Sequence, residues 1–178
     1  MINRVLETDR LILRKFDVSD YDALGTILGD TVVMESSVDG PLSEHQIKMW
    51  LEHQLEVYKL DNGFGVLAVV ERVTTKLIGY CGLFYFPNID GNSEIEIGYR
   101  FSQNSWGSGY ATEAACVVRN YAFASLNVQR LIALIEPVNT RSIRVAEKLG
   151  MVFEKKVLLE NYDYPDYLYL IENPDNKN

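Results

Sequence analysis

The chain has little of what metal, disulfide or membrane chemistry requires. Its 178 residues include two cysteines and two histidines. Cys81 and Cys116 stand far apart with no Cys-x-x-Cys spacing, so neither a zinc site nor a redox pair is expected, and both thiols are expected to be reduced and buried. His45 and His53 have no cysteine or carboxylate cluster at ligand spacing, and no metal is expected. No apolar run approaches the length of a membrane span, and the Met1 end lacks the charged-then-apolar order of an export signal, so a cytoplasmic location without a membrane partner is expected. Positive charge is also short: 17 Lys and Arg against 25 Asp and Glu leave a net charge of -8. A field of that sign repels nucleic acids and anionic membranes, and suits a neutral or basic amine-bearing partner better.

What is present describes one folded domain. Hydrophobic residues make up 47% and charged residues 24% of the chain, an ordinary globular balance. No repeat or low-complexity linker interrupts it, so residues 1–172 are read as a single domain and 173–178 as a frayed tail. Residues 6–14 alternate as a first strand, and Asp17 to Asp22 offer caps for a short helix carrying Leu24, Ile27 and Leu28. Ser43 and Gln46 form a capping box for an amphipathic helix with Ile47, Trp50, Leu51 and Leu55 at helical spacing. Residues 64–71, 76–86 and 93–101 read as an antiparallel meander. A helix follows Gly109, a strand spans 129–136, and a helix capped by Asn139 or Thr140 runs to Gly150. Residues 151–159 and 167–171 make a final strand pair. The class is a mixed α/β (α+β) sheet protein.

The stretch Asn104-Ser105-Trp106-Gly107-Ser108-Gly109-Tyr110-Ala111-Thr112-Glu113-Ala114-Ala115 joins the third strand of the meander to the helix. Gly107 and Gly109 open backbone conformations closed to other residues, and the first turn of the helix has unpaired N–H groups with a partial positive charge. Strand, Gly-x-Gly turn and helix together form a candidate cradle for an anionic, phosphate-bearing ligand. The plain alternative is a tight connection that binds nothing. A dinucleotide fingerprint is excluded by the missing third glycine, and a Walker loop by the absence of Gly-Lys-Ser/Thr.

Trp-Gly-Ser-Gly-Tyr-Ala-Thr-Glu-Ala, residues 106–114, resembles the acetyl-coenzyme A pyrophosphate loop of the GNAT N-acetyltransferase superfamily, in particular the branch containing the ribosomal-protein N-terminal acetyltransferases. Glu-Thr-Asp-Arg-Leu-Ile-Leu-Arg at 7–14 resembles the opening strand of that branch. Residues 139–150, with Asn139, Ser142 and Glu-Lys-Leu-Gly, resemble its Asn-x-x-Ser segment. The resemblance implies a GNAT fold: a mostly antiparallel central sheet, a splay between strands 4 and 5, and helices on both faces. It implies acetyl-CoA as cosubstrate, with its diphosphate on Ser105, Trp106, Gly107, Ser108, Gly109, Tyr110 and Ala111. The pantetheine arm would lie along Ile97, Gly98, Tyr99, Arg100 and Phe101. Asn139 and Ser142 would meet the arm, and Arg144, with Arg141 or Lys148 as alternatives, the nucleotide phosphates. A glycine inside a strand marks a bulge at Gly98, or else a simple twist.

Many members of the superfamily place a tyrosine seven residues after the asparagine as proton donor to the leaving thiolate. Here that position is Ala146, so Ser142 is the candidate replacement. A free amide at Tyr99 is a candidate donor to the thioester oxygen. Glu96 is the first candidate base, with Glu136 and Glu160 behind it. An α-amine with a pKa of about 8 is neutral far more often at pH 7 than a lysine amine at about 10.4, which favours a protein N-terminus as acceptor. A small-molecule amine is the alternative, and an acyl-CoA-binding sensor without turnover is the reading from another class. Tyr162, Tyr164 and Tyr167 would line either a homodimer contact or a substrate slot.

Overall fold

The computed structural model describes residues 4–60, 63–160 and 162–175. The reading at Met1 and the tail from residue 176 lie outside them. Strands β1 (Arg4–Glu7), β2 (Leu11–Arg14), β3 (Gly65–Glu71), β4 (Leu77–Ile89), β5 (Asn92–Phe101), β6 (Arg130–Ile135), β7 (Val152–Val157) and β8 (Asp166–Glu172) form one sheet in the order β1-β2-β3-β4-β5-β6-β8-β7. Helices α1 (Tyr21–Leu28) and α2 (Glu44–Val57) cover one face, and α3 (Tyr110–Ala124) and α4 (Thr140–Lys148) the other.

Side-chain alternation builds these two layers. On β3, Leu67 and Val69 pack with α3 residues Ala114, Ala115, Val118 and Ala122, whereas Val66 and Ala68 pack with Leu24 and Leu28 of α1 and Ile47 and Leu51 of α2. A strand buried on both faces must be apolar at successive positions, as the run Val66-Leu67-Ala68-Val69-Val70 is. Leu11, Leu13, Leu24 and Leu131 are wholly buried, each contributing about 1.5–3 kcal/mol of transfer free energy. The small side chains on the inner stripe of α3 let that helix lie close to the strands beneath it.

Two local expectations are corrected. The first strand, read as continuous over 6–14, is a hairpin: β1 and β2 pair antiparallel around Thr8 to Arg10, where the Thr8 N–H and side chain bond the Leu11 main chain. The bulge at Gly98 is absent from the β4–β5 ladder, whose register runs unbroken from Gly79↔Phe101 to Phe86↔Glu94. The Phe84 ring lies across Gly98, and a Cβ there would come within 2.7 Å of the ring. Asn173 is buried, its N–H donates to the Gln129 carbonyl at 2.8 Å, and its Nδ2 donates to the Val128 carbonyl at 3.1 Å.

All neighbouring strands are antiparallel except β5 and β6, which are parallel because α3 carries the chain across between them. Their register is a single pair, Glu96↔Ile132. Beyond it β5 continues to Phe101 and β6 to Ile135 without a shared ladder, leaving an open notch between them.

Candidate active site

The notch opens into a cavity of about 1030 Å³ whose walls include β5, the turn before α3, the end of β6 and the first turns of α4. At its α3 side Gly107 and Gly109 have φ of 74° and 81°, and Gly109 is the N-cap of α3. The Glu113 N–H donates to the Gly109 carbonyl at 3.0 Å. Among the described residues the N–H groups of Tyr110, Ala111 and Thr112 have no acceptor, as the geometry of a helix start dictates. Gly107, Gly109, Tyr110, Ala111 and Thr112 all line the cavity.

The cradle is braced by the distant N-terminal hairpin. Glu113 accepts from Thr8 Oγ1 at 2.5 Å, the Arg10 N–H at 3.2 Å and Arg10 Nε at 2.7 Å. Arg10 Nη1 also donates to the Ser108 carbonyl at 2.9 Å, its guanidinium lies 4.5 Å from the Tyr110 ring centroid, and the Tyr110 hydroxyl donates to Glu71. Ser105 is buried with its hydroxyl against that of Ser102 at 2.8 Å. Trp106 Nε1 donates to the Phe101 carbonyl at 2.8 Å, and the Arg141 guanidinium lies over the indole at 3.8 Å.

β5 divides the notch into two sides. Ile97 and Phe101 are buried in the α3-side core, so their side chains are committed there and only their main chain can meet a ligand. Tyr99 packs on the same side, and its hydroxyl donates to the Ser142 carbonyl at 3.4 Å. Burial raises the phenol pKa and keeps it protonated. Glu96, Gly98 and Arg100 point the other way. The Arg100 guanidinium lies against Met34 Sδ, away from the cradle.

Asn139 caps α4, its Oδ1 accepting from the Ser142 N–H at 3.1 Å. The Ser142 side chain, Arg144 and Lys148 line the cavity from the same helix, and Arg141 is tied to Glu35 at 2.8 Å. Ala146 is buried in the core. Cys81 lies in the α3-side core, where burial pushes its thiol pKa up; Cys116 is partly buried on α3.

Carboxylates gather at the other end. Glu96 Oε1 accepts from the Leu134 N–H on β6 at 3.0 Å. Burial raises the Glu96 pKa to about 7, against the lowering effect of that hydrogen bond, with the Asp166 charge a smaller contribution in the same direction as burial. Glu136 accepts from the Tyr164 hydroxyl at 3.2 Å. Glu160, Tyr162 and Tyr164 line the cavity, whereas Tyr167 packs against Phe153 at a ring separation of 5.2 Å. Asp166, which sequence reasoning missed, is buried, and its pKa is raised by burial and then by Glu136. The available signal was an acidic residue opening the otherwise alternating run Asp166-Tyr167-Leu168-Tyr169-Leu170. Among the described residues no group of three or more His, Cys, Asp or Glu side chains is placed to hold a metal ion, and no helix is long and apolar enough to cross a membrane.

A β5–β6 notch lies beside a glycine-cornered helix start, and the comparisons with known proteins give the class of protein that carries them. The model of the Acetyltransferase (GNAT) domain family matches residues 10–152, and the chain belongs to that family. The "Uncharacterized N-acetyltransferase p20" of Bacillus licheniformis is 33% identical over 159 residues, 89% of this chain and 86% of that protein. A GNAT-family acetyltransferase from Bacillus anthracis superposes with a TM-score of 0.80 at 27% identity, covering 94% of this chain and 98% of that one. A spermidine N-acetyltransferase from Vibrio cholerae, solved with CoA and spermine, shares the fold with a TM-score of 0.74 at 17% identity, covering 93% and 97% of the two chains. The protein is an acyltransferase that takes acetyl-CoA as donor.

Proposed function

We propose that this chain acetylates a primary amine by direct attack on the thioester of acetyl-CoA, with Glu96 as the base. The observation that carries the reading is a carboxylate at the only paired point of the notch, held by the Leu134 N–H and with its pKa raised to about 7. A carboxylate with a pKa near the working pH is ionised often enough to accept a proton and is a stronger base than an ordinary carboxylate.

The residues present fit the cosubstrate. The amides of Tyr110, Ala111 and Thr112 supply donors for a diphosphate, and Arg144 and Lys148 supply cations on the same side. The main chain from Ile97 to Phe101 pairs with β4 along one edge, and its other edge, facing β6 beyond the Glu96↔Ile132 pair, is available to the amides of the pantetheine arm. The Asn139 side-chain amide has its Oδ1 committed to the helix cap, and among the described residues its Nδ2 meets no acceptor. Bound acetyl-CoA supplies an activated acetyl group and a thiol leaving group. Glu96 removes a proton from the incoming ammonium, Tyr99 and its neighbours hold the thioester end in the notch, and Ser142 stands on the α4 turn to hydrogen-bond the departing sulfur. The buried Cys81 takes no part.

The motif resemblance favours a protein N-terminal α-amine as acceptor. A small-molecule amine is the second reading, favoured by the carboxylates that line the far end of the cavity. A base of pKa about 7 at the notch supports turnover over ligand sensing. Two free cysteines suit a reducing compartment such as the cytoplasm. The test is a panel of peptides and small amines with acetyl-CoA, read by acetylated product and thiol release. Full activity in Glu96→Gln removes Glu96 from the base role, and Ser142→Ala with unchanged kcat removes Ser142 from the leaving-group side.

A further inference from the structure

We propose that Asp166 binds a second positive charge on the acceptor, so that the amine acetylated at Glu96 belongs to a molecule carrying another cationic group. This rests on the amine acetyltransferase reading above and specifies the acceptor class.

Asp166 opens β8 and shares the face of Leu168 and Leu170, the side of the sheet on which Leu134 of β6 also lies. It is 6% exposed and lines the cavity. Among the described residues its Oδ1 is buried without a hydrogen-bond partner. The neighbouring charges make this worse. Glu136 raises the Asp166 pKa, and Asp166 in turn acts on Glu96, so like charges converge on one wall. Arg100 lies against Met34, Arg130 pairs with Glu94 and Glu154, and Lys155 pairs with Asp90; of the cavity's α4 cations, Arg141 pairs with Glu35, and Arg144 and Lys148 form no ion pair with Asp166 among the described residues. A buried carboxylate lacking a counter-charge is costly, and a cationic ligand group supplies what the fold does not. Deprotonating one amine requires one base, which Glu96 provides. A second carboxylate in the same cavity is matched by a second ammonium or guanidinium group.

Two sources share this chemistry, a free diamine and a peptide N-terminus with a basic residue beside it, and separate arms distinguish them. Butylamine, diaminobutane and aminobutanoate are compared at matched chain length with acetyl-CoA, alongside short peptides with lysine or norleucine at the second position. The expected result is at least a tenfold higher kcat/KM for the doubly cationic member of one pair, with aminobutanoate the poorest substrate. In Asp166→Asn the ratio of cationic to neutral member falls toward one. No preference in the unmodified protein, a ratio unchanged in Asp166→Asn, or an equal loss on every amine overturns the proposal. Calorimetric titration of diaminobutane into the CoA-saturated protein and into Asp166→Asn reads the same subsite without turnover. Binding that weakens at least tenfold in the variant supports the subsite even if no amine is acetylated, an outcome that would count against the catalytic reading alone. Absence of binding in both proteins together with absence of turnover overturns both.

Discussion

The Glu96 carboxylate on β5 crosses to β6 and accepts the Leu134 N–H at 3.0 Å, two residues beyond Ile132, where the two strands part. That bond fixes the carboxylate at the mouth of the notch. The proposed role of Glu96 as a base requires its ionised form, so kcat/KM is expected to rise with pH through about 7. In Glu96→Gln that limb disappears and kcat/KM falls by about 10²-fold or more. A pH–rate profile of both proteins checks this.

The same shift predicts a stability effect of opposite direction. Glu96 has a folded pKa of about 7, above its ordinary value of 4.5, so between these values the folded chain holds more proton than the unfolded one. Stability from this group is therefore present at low pH and lost as pH rises to about 7. Glu96→Gln removes the penalty, and its stability advantage over the native protein is expected to grow across that window to about 2–3 kcal/mol. Denaturant melts at pH 5 and pH 8 measure the difference; an advantage that shrinks with rising pH contradicts the sign.

Glu113 ties the first turn of α3 to Thr8 and Arg10 through three hydrogen bonds. Arg10 is 47% exposed, so its charge attraction is screened and the hydrogen bonds matter more. Glu113→Ala is expected to cost about 1–2 kcal/mol, with weaker acetyl-CoA binding because the helix start loses its brace. Chemical denaturation and calorimetry read the two effects separately.

Gly109 adopts φ 81° as the N-cap of α3, and a Cβ there would meet the Arg10 guanidinium at an ordinary 3.5 Å. Space is therefore not the obstacle; backbone conformation is. Gly109→Ala is expected to cost about 1–2 kcal/mol and to weaken acetyl-CoA binding about tenfold as the amides of Tyr110 and Ala111 turn away. An unchanged Kd by calorimetry removes these amides from the diphosphate site.

Much of the fold was legible because its signals are local. The Ser43–Gln46 capping box, the Asn139 cap and the left-handed glycines at 107, 109 and 150 lie where the spacing placed them. The errors arose where a local signal had a remote cause. Gly98 looked like a bulge because the strand alone does not reveal the Phe84 ring lying across it. The motifs at 7–14 and 106–114 read as separate anchors, yet Thr8 and Arg10 of the first hold Glu113 of the second.

From the residues in order came the antiparallel meander, the glycine turn before α3 and the helix start that follows it, since each depends on groups a few positions apart. The tertiary structure alone decided which carboxylates share a wall. Residues 96, 136 and 166 meet because β8 inserts between β6 and β7, beside the strand that Glu96 reaches. Strand order rests on pairing between distant segments, and the ionisation of Glu96 and Asp166 rests on the burial that pairing creates.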